Sequence, residues 1–259
     1  MGHQRLGTLP RSKHWNEVIG LIAGGAPAAE LAAATSIAAE RSMVDASTDE
    51  AARYSLWLLA KIPMAAGEAD FAIALRRLGL DVPASPVLTD IVCGFMGAVD
   101  RHIIGFGSRT DFGEIAQVSA AEALYAIGGR EVHELFGVSS GSTKAALGGL
   151  ATVKQFAVLA RDFFFRLTRR HIDYYLSREL SRHVGPGQRF ASMREHRAFE
   201  QALDLHCREA TRIIQEYAGE WLSKQNFEGG IDLPKAGRFV SYASEKIRDE
   251  LRHRRAAHG

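Results

Sequence analysis

From Thr152 to His183 the chain contains no glycine or proline, and this run constrains the architecture more than any other. Thr152 followed by Gln155 has capping-box spacing, and Gly185-Pro186-Gly187 stops the far end. At 1.5 Å per residue such a helix extends roughly 48 Å, longer than most small domains are wide. It carries Phe156, Phe163, Phe164, Phe165, Tyr174 and Tyr175 and, with histidine set aside, seven basic side chains. Phe165 and Tyr174 fall on roughly opposite sides of it. The helix is therefore expected to be wrapped by neighbours or to lend one side to a partner protein.

The rest of the chain is punctuated the same way. Ser12 precedes an apolar stripe at Trp15, Val18, Ile19 and Ile22 that ends at Gly24-Gly25. Pro27 opens an alanine-rich helix to about Met43; lacking a central turn residue, it reads as one helix and not as a helix-turn-helix. Ser47 with Glu50 opens a helix that Pro63 is expected to close. Shorter segments follow from Glu68 to Leu78 and from Ser85-Pro86 to about Ile104. Asp111 with Glu114 opens another, running to Gly128-Gly129, with a helical turn from Arg130 to Phe136. Ser192 with Glu195 opens a helix whose stripe is Phe199, Leu203, His206, Ala210, Ile213, Tyr217 and Trp221. Asp232 and Pro234 start the last, with Phe239, Ala243, Ile247 and Leu251 on one face.

No run alternates as a strand between turn signals, and no period of 20–50 residues marks a solenoid. The chain is expected to be all-α, with several short N-terminal helices and a C-terminal bundle of long ones. The division proposed is an N-terminal region 1–136, a connector 137–151 and a long-helix bundle 152–259.

At 259 residues, 46% hydrophobic and 24% charged, the composition is that of an ordinary globular protein with a substantial core. Residues 1–151 hold 12 Lys and Arg against 16 Asp and Glu, a balance of −4. Residues 152–259 hold 20 against 14, or +6, which together give the net +2. The C-terminal half is thus the better place to seek an acidic partner. The two cysteines, Cys93 and Cys207, exclude a disulfide framework; both are expected to be buried free thiols suited to a reducing cytoplasm. The N-terminus lacks the apolar run of a signal peptide. Val87 to Phe106, the most apolar segment, is interrupted by Asp90, Asp100 and Arg101 and reads as a buried helix, with no membrane partner.

Reaction chemistry is sparse. Gly137-Val138-Ser139-Ser140-Gly141-Ser142-Thr143-Lys144 has the glycine and hydroxyl content of a phosphate loop but the wrong order, and no strand precedes it. His133-Glu134 lacks the second histidine of a zincin helix, and no ligand spacing points to a metal or other cofactor. His206 reads as a packed histidine. Nucleophile-elbow and dinucleotide fingerprints are absent. Asp49-Glu50 and Asp249-Glu250 read as solvated helix faces.

Arg248-Asp249-Glu250-Leu251-Arg252-His253 is the one local pattern with chemical content. An Arg, a polar residue and a His five positions after the Arg resemble the signature of HEPN-type ribonucleases, which are helical, metal-independent and generally dimeric. The resemblance implies His253 as acid or base and Arg248 as the phosphate contact.

Three functions are carried forward. The first is a non-enzymatic interaction or scaffold subunit of a cytoplasmic multi-protein assembly, with other protein subunits or copies of itself as partners. Its contact residues are taken as Phe165, Tyr174, Arg109, Asp111, Gln188, Arg189 and Phe227. The second is the ribonuclease. The third is a nucleic-acid module in which Arg166, Arg169, Arg170, Arg178, Arg182, Arg252, Arg254 and Arg255 grip phosphates.

Overall fold

The computed structural model describes residues 12–39, 48–106, 109–131 and 139–258, with side chains as far as His253. The described residues form helices and no strand: α1 (Lys13–Ala23), α2 (Ala28–Ala38), α3 (Glu50–Ala65), α4 (Phe71–Arg77), α5 (Leu88–Ile104), α6 (Asp111–Gly128), α7 (Ser140–Gly149), α8 (Val153–Arg182), α9 (Met193–Ala210), α10 (Arg212–Phe227) and α11 (Leu233–His258). A 3-10 turn, Gly129–Glu131, follows α6. None of these helices is long and apolar enough to cross a membrane.

Caps set most helix starts as the side-chain chemistry requires. Ser12 accepts from the Trp15 amide, Thr152 from Gln155 and Ser192 from Glu195. The Glu195 carboxylate also accepts from the amide of Ala191, the residue before the cap, at 2.7 Å. For α3 the cap is Asp49, while Ser47 lies outside the described residues, as does the segment from Glu40 to Met43. Pro63 does not close α3; it sits inside the last turn, and the helix continues to Ala65. The short turn expected over Arg130–Phe136 is seen only as far as Glu131. His133, Glu134, Gly137 and Val138 lie outside the described residues. Much of the segment read as a connector is itself helical. Ser139 caps α7, and Lys144 anchors it to the Glu68 and Ala69 carbonyls at 2.7 and 3.3 Å.

α8 is the spine. α6 and α10 pack along it, and α9 and α2 also touch it. α2 is buried from Ala28 through Ser36 except at the half-buried Glu30, because its small side chains let α1, α9 and α11 approach closely. α11 returns from the C-terminal half onto α2 and α3, so one continuous core runs from Trp15 to Leu251. Aromatic contacts join α8 to its neighbours. Phe163 lies 4.8 Å from Phe164, Phe164 lies 5.8 Å from Phe239 of α11, and Phe239 stacks on Trp221 of α10 at 4.3 Å.

Two expectations are corrected. The single helix read from Ser192 through Trp221 is interrupted at Thr211, whose buried hydroxyl donates to the Cys207 and Arg208 carbonyls at 2.9 and 3.0 Å. Its deepest line keeps Leu203 and Ala210 of the expected stripe but moves one position on elsewhere, to Cys207, Ile214, Ala218 and Leu222. Small residues occupy the close crossing, and the bulky Phe199, Ile213, Tyr217 and Trp221 flank it as partly buried neighbours. Cys207 is buried, and burial pushes its thiol up to about 12. Cys93 is exposed instead, because Leu88, Ile91, Phe95 and Ala98 claim the inner face of α5.

Candidate functional site

Two helix starts are tied together beside the middle of α8. At the start of α3, Asp49 Oδ1 accepts from the Ala52 amide at 2.8 Å. At the start of α6, Thr110 Oγ1 accepts from the Gly113 amide at 2.8 Å and donates to the other oxygen of Asp49. This approach depends on Gly113. A Cβ there would lie 2.8 Å from both the Ala51 Cβ and Asp49 Oδ1. Gly113→Ala is therefore expected to lower stability by about 1–3 kcal/mol, despite alanine's better helix propensity, as the two caps are forced apart. Urea denaturation measures it; unchanged stability would contradict the crowding.

The tied caps form one wall of a cavity of about 510 Å³, a size suited to a small ligand or a large side chain. Asp49, Glu50 and Asp111 bring carboxylates to it, and Phe106, Phe112, Tyr174 and Tyr175 bring rings. Tyr174 Oη donates to Asp111 Oδ2. Glu50 pairs with Arg53 in the next turn, and its other oxygen lies 3.2 Å from His102 Nε2. His102 in turn stacks on Tyr54 at 4.0 Å. Phe106, 60% exposed, gives the lining an apolar outer residue.

His171 closes the floor. It is buried and set edge-on to Phe112 and Tyr175 at 5.5 and 5.4 Å. Burial lowers its pKa to about 4, so at neutral pH it adds no positive charge to that of Arg53, which is already paired with Glu50. The cavity thus combines negative charge with aromatic faces, the surroundings that favour an organic cation. Among the described residues no trio of His, Cys, Asp or Glu is placed to hold a metal ion.

Several residues singled out from the sequence meet here. Asp111 and Tyr174 share the cavity wall, and Arg109 lies nearby with its charge held by Asp100 and Glu114 at 3.5 and 3.7 Å. Others do not meet here. Phe165 is buried beneath the Arg208 guanidinium, and Gln188 is exposed in the turn before Phe190. Phe227 is 94% exposed at the end of α10. Arg189 points inward, donating to the Leu21, Ile22 and Ala26 carbonyls that end α1, with its guanidinium over Phe190 and Phe199.

The arginines of α8 are largely matched by acids. Arg166 and Arg170 both reach Glu122 of α6, and Arg166 also binds Asp162 at 2.6 Å. Burial alone would raise the Glu122 carboxyl, but Arg170 and Arg166 more than offset it and hold it below the usual range. Arg169 pairs with Asp173, whose carboxyl burial nonetheless raises. Arg166, Arg170 and Asp173 are therefore tied to neighbouring groups. Arg182 pairs with Glu179, and Arg178 is exposed. On α11, Arg248 is half-buried, Arg252 lies 3.8 Å from Asp249, and His253 is exposed. The side chains of Arg254 and Arg255 lie outside the described residues.

Sequence reading gave Phe106 and Phe112 no role in a site. The Asp49-Glu50 pair, read as a solvated face, is a cap and a cavity wall. No family model, curated protein or solved structure matches the chain.

Proposed function

We propose that the protein is a non-enzymatic helical interaction subunit of a cytoplasmic multi-protein assembly, and that its cavity receives a lysine or arginine side chain of a partner protein. One observation carries this reading: three carboxylates and four aromatic rings line a single cavity, and one of those rings, Phe106, is exposed. A basic residue flanked by apolar ones on the partner complements both features. The charge pairs with Asp111 beside Asp49, the alkyl stem lies against the rings, and the flanking residues cover Phe106. Small protein anchors of this kind draw most of their affinity from a few such central contacts.

Photo-crosslinking from position 106 in the native host tests this. A defined protein partner is expected, crosslinked through a basic segment. Asp111→Asn, which keeps the hydrogen bond with Tyr174 within reach, is expected to weaken that partner's binding about tenfold in the purified pair, and added salt to weaken it further. A crosslink to nucleic acid, or a protein partner whose affinity ignores both Asp111→Asn and salt, would remove the proposal.

A further inference from the structure

A second cleft, remote in character from the acidic cavity, has the opposite charge. It lies where the end of α6, the first half of α8 and the α9–α10 junction meet, and encloses about 190 Å³. Arg130, Arg161 and Arg208 line it, together with Thr211, Gln215 and the single acid Asp162.

Each charge has a definite setting. Asp162 is turned to the next turn of its own helix, where Arg166 Nε binds it at 2.6 Å. Arg161 is held by uncharged oxygens, donating through Nη1 to Gln215 Oε1 at 2.9 Å and through Nη2 to the Arg208 carbonyl at 3.2 Å. Those contacts fix the guanidinium without cancelling its charge. Arg208 lies 3.9 Å above the Phe165 ring and is ion-paired through Nε with Asp204 at 2.9 Å, which matches part of its charge from outside the cleft lining. Ring and ion pair hold the second fork in place. Arg130, exposed on the turn after α6, supplies the third.

Arg208, Thr211 and Gln215 follow one another at i, i+3 and i+7 across the α9–α10 junction, the spacing of one helix face, and so border the same small space. Three arginine forks around 190 Å³, with one acid already committed, form a receptor for a compact anion that accepts several hydrogen bonds.

We infer that the Arg130–Arg161–Arg208 cleft binds a single phosphoryl group, carried by inorganic phosphate or a small phosphate ester. A phosphoryl group offers several acceptor oxygens and up to two negative charges, which three planar forks match better than a carboxylate would. Nucleic acid is disfavoured, because it requires a continuous basic track, and the next arginines along α8 are matched by Glu122, Asp162 and Asp173.

The full chain is titrated with inorganic phosphate and, separately, with a nucleoside monophosphate, reading the thermal midpoint and isothermal heat against chloride at matched ionic strength. Saturable stabilisation by phosphate beyond the chloride control is expected, since a ligand of the folded state raises the midpoint with concentration. Arg130→Gln, on an exposed turn where folding is undisturbed, is expected to weaken phosphate at least tenfold, and Arg161→Gln likewise; Arg178→Gln, exposed farther along α8, leaves it unchanged. Tight binding of the nucleotide with the same dependence on Arg130 identifies an ester as the ligand, and binding of phosphate alone identifies the free anion. Stabilisation no greater than that by chloride, or phosphate binding unaffected by Arg130→Gln, overturns the inference. So does binding of single-stranded RNA that outcompetes both ligands.

Discussion

Phe164→Ala is expected to remove about 3–5 kcal/mol of folding stability, the range for deleting a buried aromatic side chain. Phe164 is 1% exposed and sits where the long helix meets the terminal one, touching Phe163 and Phe239. Phe239 passes the contact on to Trp221, so one ring bridges α8, α11 and α10. Truncation leaves a void among rigid rings, and the surrounding helices, held along their length, close it only in part. Against a total of about 5–15 kcal/mol for an ordinary domain, this is a large loss. Urea midpoints measure it. Phe227→Ala, at a ring 94% exposed, serves as the control and is expected to stay within about 0.5 kcal/mol. Combining Phe164→Ala with Phe239→Ala is expected to cost less than the two single losses added together, because both delete one shared contact worth about 0.5–1.5 kcal/mol. Wild-type stability in Phe164→Ala would mean that α11 does not lie on α8.

That contact also shows what a one-dimensional reading reaches. The length of α8, its Thr152 cap and the crowding of rings too numerous for one face were all legible, because each is a local property of consecutive residues. So was the all-helical class. The exact line of burial on α9 and α10 was not. Periodicity locates bulky apolar residues, whereas the closest crossings are made by small ones, Cys207, Ala210, Ala218 and Gly219. A Cβ on Gly219 would lie 2.7 Å from Val153 Cγ1. Thr211 was equally silent, since a threonine within a helical pattern carries no signal of whether its hydroxyl turns back on the carbonyls before it.

The acidic cavity was hidden for a related reason. Its carboxylates come from Asp49, Glu50 and Asp111, which in sequence are merely residues at the starts of two helices, where acids are common for capping and dipole reasons. Nothing local says that the two starts meet. Gly113 is the residue that permits the meeting, and within the sequence it is one glycine among 25. Asp111 and Tyr174 were singled out as contact residues for exposure and position, and the fold joins them by a hydrogen bond across 63 residues of chain. The Arg130–Arg161–Arg208 cleft is assembled from three separate elements in the same manner.

Stability is expected to fall as the pH drops from about 6.5 towards 4, and His171 is the reason. In the unfolded chain its imidazole takes up a proton near the ordinary value of 6.5, while in the folded protein burial holds it neutral down to about 4. Between those values the unfolded state binds more protons than the folded one, so acidification favours unfolding. The stability contributed by the neutral ring is complete above 6.5, declines through the window, and is gone below 4. The shift corresponds to roughly 3 kcal/mol. Glutamine at this position stays neutral throughout, so the gap between wild type and His171→Gln isolates the term from the carboxylates of Asp49, Glu50 and Asp111 in the same cavity. Urea midpoints of the two proteins at several pH values should change relative to one another across this window, with the wild type losing about 3 kcal/mol more. Parallel profiles would show that His171 is protonated or solvated in the folded state. The cavity would then carry a cation of its own, and a basic side chain would no longer be its natural occupant. A cationic ligand seated beside His171 makes protonation harder still, so the true partner should hold the folded profile flat to lower pH than the free protein reaches.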